Sequence, residues 1–456
     1  MRDLLRETAD RAARYLDGFG TRRIAPDLEA VGALERFREP LPEAPSDPAE
    51  TLRLLDEIGS PATTLMGSGR YFGFVIGSKL PAALASNWLA TAWDNSGSYW
   101  RVSPAPVMIE NVALGWLLDV LGLPADCGGS FVTGATMANL TGIAAGRHVV
   151  LRRAGWDVEA DGLFGAPPIT VVVGEEVHPT LVKSLGLLGL GRNRVVRVPV
   201  DDQGRMRADA FPRLAAPAIV CLQAGNVNTG AFDPAAEIIP QAREAGAWVH
   251  VDGAFGLWAA AAPARAHLMR GYEAADSWAT DAHKWLNVPY DSGLTFTRDT
   301  EALRAAMSIT AAYLPAGDQR EPAHYTPELS RRARGIDVWA ALRSLGRSGV
   351  ADLVERCCRY ATRFADELRA AGYEILNEVV INQVLVSFGD PETTNRVIQA
   401  IQQEGTCWAG GTVWQGRTAM RISVSSWETT EEDVERSLEA ILRIAGEVRA
   451  GQSVER

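Results

Sequence analysis

His250-Val251-Asp252-Gly253-Ala254 and Asp281-Ala282-His283-Lys284-Trp285 are the two stretches whose reading decides the fold. Each follows an apolar or mixed run that reads as a buried strand. One strand end therefore delivers a carboxylate and the other a lysine. The spacing between them leaves room for a crossover helix joining two neighbouring strands.

Further runs of this kind surround the pair. Thr170-Val171-Val172-Val173, Val195-Val196-Arg197-Val198, Ile219-Val220-Cys221-Leu222, Trp248-Val249-His250-Val251 and Leu294-Thr295-Phe296-Thr297 alternate with helical stretches. Such alternation predicts βαβ units and an α/β fold with a mostly parallel, buried sheet. Ligands of open α/β sheets sit outside the carboxyl ends of the strands. Residues 334–371 lack proline and read as a long helical stretch with a break near Gly349. Strand-like runs at 379–388 and 420–424, with helices at 393–404 and 430–446, predict a small C-terminal α+β domain. Toward the N-terminus, residues 1–16 read as an amphipathic helix, not a signal peptide. Four prolines in 38–48 mark an extended connector. Residues 68–81 (SGRYFGFVIGSKLP) suggest a loop or short strand against a pocket, and 82–121 two helices broken at 95–98 and at Ser103-Pro104. The expected division is a helical segment 1–80, a large α/β domain 81–335 and a small domain 336–456.

The chain has 456 residues and a net charge of −11. That sign argues against nucleic acid or an anionic membrane as the main partner. The five cysteines show no metal spacing and no disulfide framework, which points to a reduced, cytoplasmic chain. The six histidines form no H-E-x-x-H or similar pattern, so no metal is expected. No apolar run approaches the ~18 residues of a membrane span.

Five segments fall at predicted strand ends. Phe131-Val132-Thr133-Gly134-Ala135-Thr136 passes from a β-like run into a helix, and its free N–H groups and dipole favour phosphate. His178 follows the Thr170–Val173 run, where an imidazole can lie against a π-system. Asn226 follows the Ile219–Leu222 run. Asp252 is a carboxylate among apolar neighbours, which needs a cation or donors to stay ionised. Lys284 is rarely buried without a role. Each has a plainer reading when taken alone: a helix cap, a surface histidine, an Asn/Gly turn, a snorkelling lysine. Together they match what pyridoxal phosphate (PLP) requires, an amine for a Schiff base and a carboxylate that keeps the pyridine nitrogen protonated.

These segments resemble the group II PLP-dependent amino-acid decarboxylases, from about Arg70 to Ser426, with HVDGA and HKW as the specific part. The resemblance implies the fold-type I PLP-dependent transferase fold, with a seven-stranded-type sheet flanked by helices. It implies Lys284 as the Schiff-base lysine, Asp252 as the pyridinium partner and His178 stacked on the ring. Gly134, Ala135 and Thr136 would hold the phosphate with His283 beside them, and Asn226 and Ala254 would line the ring. Phe74 and Tyr99 would contact substrate, and Arg421 would meet its carboxylate or serve a structural ion pair. The implied reaction releases CO₂ from an L-amino acid and returns a proton to Cα. The proton donor would be a Tyr on a loop from the partner subunit of a homodimer whose active site lies at the interface. Tyr325 is the first choice, with His324 and Tyr313 as alternatives. Asp281-Ala282 stands where many members carry Asn-Pro, and a carboxylate there disfavours direct phosphate contact. An aldehyde synthase and a retro-aldol lyase remain alternative outcomes, and a catalytically idle PLP-fold subunit is a third reading.

Overall fold

Seven strands form the central sheet of the computed structural model, which describes residues 1–309 and 319–454. They are β1 (Gly128–Val132), β2 (Thr170–Gly174), β3 (Val195–Val198), β4 (Ala218–Gln223), β5 (Trp248–Asp252), β6 (Ser277–Asp281) and β7 (Gly293–Thr297). Their spatial order is β1-β7-β6-β5-β4-β2-β3. The pairs from β3 through β6 are parallel, and β7 runs antiparallel to both β6 and β1. Every residue of β4, β5, β6 and β7 is buried, because helices cover both faces. That explains why these strands read as continuous apolar runs. A second sheet combines β8 (Glu374–Ile375), β9 (Gln383–Ser387), β10 (Gly410–Trp414) and β11 (Arg417–Ser423) in the antiparallel order β10-β11-β9-β8.

The N-terminal region holds α1 (Arg2–Asp17), α2 (Leu28–Ala33), α3 (Pro48–Leu54), α4 (Pro81–Trp93) and α5 (Pro104–Val120). The sheet is threaded by α6 (Ala135–Arg153), α7 (Val158–Asp161), α8 (Pro179–Leu187), α9 (Ala235–Glu244) and α10 (Thr300–Met307). The long α11 (Gly335–Ala370) leads to the second sheet, which carries α12 (Pro391–Glu404) and α13 (Glu431–Val454). The break in α11 falls at Gly346, whose φ of 62° is left-handed, and not at Gly349.

The helix α6 positions the site. A Cβ on Gly146 would lie 2.5 Å from the Trp248 ring, and one on Gly142 would lie 2.9 Å from the His250 ring. Two glycines one turn apart thus let α6 settle directly on the β5 side chains. The sequence differs from expectation between β5 and β6. No α-helix fills the crossover; the chain makes three 3₁₀ turns, Gly256–Ala261, Ala266–Met269 and Tyr272–Ala274. Gly256 packs against backbone there: a Cβ on it would fall 2.0 Å from the Ala224 carbonyl oxygen. Pro263 further breaks up the segment.

Glu110 of α5 anchors the stretch that follows the undescribed residues. Its carboxylate accepts two hydrogen bonds from Arg331, at 2.6 and 3.2 Å, and one from Arg320 at 3.4 Å. The Arg331 side chain is fully buried. Removing one charge from a buried pair leaves the other uncompensated. Glu110→Gln is expected to cost about 3 kcal/mol of stability, read as a lowered urea midpoint.

Candidate active site

A cavity of about 800 Å³ opens where β2, β4, β5 and β6 end and α6 begins. It is lined by Gly134, Ala135, Thr136, His178, Asp252, Ala254, His283, Lys284, Phe74 and Arg421, all singled out in the sequence. The strand register brings them together: β5 and β6 are adjacent and parallel, so Asp252 and Asp281 end side by side.

Lys284 meets the carboxylate three residues before it. Its Nζ lies 3.0 Å from Asp281 Oδ2. Asp281 Oδ1 accepts the Ala135 N–H at 2.6 Å and so caps α6, with His283 Nε2 3.6 Å away. The first intrahelical bond of α6 runs from Ala138 N–H to Gly134 O, which leaves the Thr136 and Met137 amides pointing out of the helix start. His283 Nδ1 accepts the Ser292 N–H at 3.1 Å, and its ring lies 4.4 Å from that of Tyr290.

Among the described residues, Asp252 has only neutral hydrogen-bond partners. Asn139 Nδ2 donates to Oδ2 at 3.0 Å, and the Ala254 N–H donates to Oδ1 at 3.2 Å. A buried carboxylate with donors but no cation is suited to a protonated ring nitrogen. His178 caps α8, with Nδ1 2.6 Å from Thr180 Oγ1. Burial holds the His178 pKa below its usual value; Lys284 and Arg421 push the same way, and Asp252 opposes them. Burial also lowers His283. Arg421 donates to the Val227 carbonyl at 3.0 Å, and no carboxylate forms an ion pair with it among the described residues. Burial lowers its pKa as well.

This set fits PLP: a lysine, a buried carboxylate without a cation, and a helix N-terminus share one cavity. Lys284 would carry the cofactor, Asp252 would face its ring nitrogen, and Gly134 and Thr136 would take its phosphate. The Asp281 carboxylate already occupies the Ala135 N–H.

Three expected site residues lie outside this chain's cavity. Asn226 is buried and serves its own loop; its side chain accepts from Asn228 N–H at 2.8 Å and donates to Glu176 at 3.0 Å. Tyr99 is buried, its ring edge-on to His324 at 6.0 Å. Tyr325 lies beside β1: its carbonyl accepts from Ser130 Oγ at 2.6 Å, and the Arg320 guanidinium sits 4.7 Å from its ring centre. Tyr313 lies outside the described residues. Conversely, Glu176, Gln223, Thr412 and Gln415 line the cavity without having been singled out. Trp414 lines it too and donates to Glu176 at 2.9 Å. A Gly-Glu-Glu loop at a strand end was the one available signal for Glu176.

A family model described as the pyridoxal-dependent decarboxylase conserved domain matches residues 45–389. Tryptophan decarboxylase 1 of Oryza sativa subsp. japonica is 27% identical over 98% of this chain and 94% of its own length. The aromatic-L-amino-acid decarboxylase of Bacillus atrophaeus is 23% identical over 98% of this chain and 96% of its own. The crystal structure of the Oryza sativa TDC with PLP and tryptamine superposes with a TM-score of 0.91 at 23% identity, covering 98% and 97% of the two chains.

Two outcomes test this geometry. A Cβ on Gly77 would fall 1.9 Å from the Lys284 carbonyl oxygen. Gly77→Ala is expected to weaken PLP affinity at least about tenfold, measured by fluorescence titration, because overpacking displaces backbone. Gly446→Ala on α13, with nothing within 4 Å of the new Cβ, should leave affinity unchanged. The second outcome concerns His250, which burial lowers to about 3. The unfolded chain takes up that proton near the usual value of 6.5 and the folded chain does not, so stability falls as pH drops below it. Asp233, raised to about 6 by burial, acts in the opposite sense. Subtracting urea midpoints of His250→Gln from wild type between pH 7 and 5 cancels that opposing part. The difference should show up to ~1.4 kcal/mol per pH unit lost by the wild type alone.

Proposed function

This chain belongs to the pyridoxal-dependent decarboxylase family and is a PLP-dependent amino-acid decarboxylase, and we propose that its substrate is an aromatic L-amino acid. The observation that carries the catalytic reading is the meeting of Lys284 and Asp252 from adjacent strand ends in one cavity. Relatives named for tryptophan and for aromatic L-amino acids support the substrate class. So does a cavity wall of Phe74, Val75, Ile76, Val227 and Trp414, which offers an apolar surface to a ring.

PLP, when bound, supplies the electron sink for the charge left as CO₂ departs. The protein's own groups do the rest. Asp252 would hold the ring-nitrogen proton, and His178, lining the same cavity, would stand beside the ring. Arg421 is a guanidinium with a single carbonyl partner among the described residues, so it has donors to spare for the substrate carboxylate. Asp281, 3.0 Å from Lys284 Nζ, positions that amine whenever the lysine is free.

Return of the proton to Cα falls to Tyr325 of a second copy, with His324 as the alternative donor. The active form is a homodimer sharing its sites. Exposed apolar side chains support this: Trp88, Leu89 and Trp93 on α4, and Leu28, Val31, Leu34 and Phe37 near α2. Contiguous apolar surface of this kind marks an interaction face. The cytoplasm is the proposed location, on the ground that all five cysteines are buried free thiols.

Purified protein loaded with PLP and offered a panel of L-amino acids decides the matter when CO₂ and peroxide are followed together. CO₂ without peroxide, fastest with aromatic substrates, is expected. CO₂ with peroxide would move the assignment to an aldehyde synthase, and no CO₂ to a carbon–carbon lyase. Lys284→Ala should abolish the visible absorbance of the loaded protein. Arg421→Met should lower kcat/KM about 10²-fold, the scale of a charge-assisted hydrogen bond.

A further inference from the structure

Strand β5 turns Trp248, His250 and Asp252 to the same face, because side chains alternate along a strand. Helix α6 meets them in reverse order with Gly146, Gly142 and Asn139, which share one helical face. The two glycines leave room for the Trp248 and His250 rings. Asn139 instead brings a polar side chain to the end of the row, beside Asp252. Asn139, His250 and Ser277 are all fully buried.

Four hydrogen bonds link this row, and each has a fixed direction. The Trp248 indole can only donate, and its Nε1–H goes to Ser277 Oγ at 2.9 Å. The Ser277 hydroxyl hydrogen is then free for His250 Nδ1, at 2.8 Å. That leaves the single hydrogen of a neutral imidazole on Nε2, which lies 2.8 Å from Asn139 Oδ1. Burial keeps His250 neutral throughout the physiological range. With its oxygen engaged by His250, the Asn139 amide must present Nδ2 to Asp252, where it lies 3.0 Å from Oδ2. The row starts at an irreversible donor and ends at a carboxylate, and a donor aimed at a carboxylate favours its ionised form. Without Asn139, Asp252 would keep the Ala254 N–H and no other donor to its carboxylate among the described residues.

We propose that Asn139, oriented by His250 and Ser277, is a positioning residue that keeps the Asp252 carboxylate ionised and in one rotamer for the pyridine nitrogen of PLP. The inference rests on the reading of Asp252 as the partner of that nitrogen. His250 acts one step further out, by fixing which end of the Asn139 amide faces the carboxylate.

The test compares binding of PLP with binding of its 1-deaza analogue, in which a C–H replaces the ring nitrogen, to the apo form of the full chain. Asn139→Leu and His250→Leu should each weaken PLP about tenfold to a hundredfold, the range for hydrogen bonds to charged groups. They should leave the analogue's affinity within about twofold of wild type, because nothing in the analogue answers Asp252. His250→Gln keeps an N–H donor for Asn139 and should recover most of the lost affinity. Should Asn139→Leu fail to fold, Asn139→Ala in the same assay stands in for it. Unchanged PLP affinity in the Leu variants, or an equal loss for PLP and analogue, would overturn the proposal. Asp252→Asn separates the two levels. If it removes the preference for PLP over the analogue while Asn139→Leu does not, the proposal alone fails. If it leaves that preference intact, the reading of Asp252 fails with it.

Discussion

The close approach of α6 to the central sheet is the constraint on which the site depends. A Cβ on Gly293 of β7 would fall 2.4 Å from the Gly134 Cα, so the start of α6 rests directly on strand backbone. Gly142 and Gly146 carry the same contact along the helix, over His250 and Trp248. A larger residue at any of these points would lift the helix away from the sheet. The lifted helix would take its N-terminal amides away from Asp281 and Lys284, and Asn139 away from Asp252. Glycine in a helix interior sacrifices up to about 1 kcal/mol of intrinsic preference per residue. Here that cost is exchanged for the placement of an anion-binding helix end beside a lysine.

The electrostatics of the cavity follow from that placement. Two cationic side chains, Lys284 and Arg421, and three carboxylates, Glu176, Asp252 and Asp281, line one cavity. They are not equivalent. Asp281 is paired with Lys284 and the helix end, and among the described residues the Glu176 carboxylate accepts only from Asn226, Trp414 and Gln415. Asp252 alone of the three ends a chain of buried neutral donors. A cationic ring and an anionic phosphate can therefore be told apart by position. The ring nitrogen has a carboxylate without a cation, and the phosphate has a helix end already sharing one amide with Asp281. The phosphate must then depend more on Thr136, Gly134 and the remaining free amides than it would if residue 281 were neutral.

Much of this was legible because strand ends announce themselves. Apolar runs followed by Asp252, His178 and Lys284 put those residues at one sheet edge before any coordinate is known, since a parallel sheet gathers its carboxyl ends on one side. Asn139 was not legible. It sits five residues inside a helix, and its meaning depends on the rotation of α6 against β5. The crossover between β5 and β6 was misjudged because length permits a helix, while Gly256 and Pro263 favour tight turns. β10 stayed hidden because its Gly410-Gly411 start has little strand preference and its side chains are mostly not buried. Tyr99 and Tyr325 were expected from the resemblance alone, and both lie outside this chain's cavity.

The last wall of the cavity comes from the second sheet, and its attachment explains why β10 and β11 matter to chemistry at the first. Glu176, at the end of β2, takes hydrogen bonds at both oxygens from Trp414 and further ones from Gln415 and Asn226. Trp414 ends β10, and Gln415 forms the turn into β11 with a φ of 46°. A non-glycine residue rarely adopts that conformation unless neighbours hold it. Here the hold is the Gln415 amide, which donates at 3.0 Å to both Glu176 and the Asp201 carbonyl. The hairpin is thus tied to the large sheet at its tip, while Arg421 on the returning strand is tied through Val227. Two separate ties fix both position and angle, whereas one would leave a pivot. The guanidinium suited to the substrate carboxylate is therefore held in register with Lys284 by groups that belong to the other sheet. Glu176, with its acceptor sites used in this way, acts as a structural tie and offers little to a substrate.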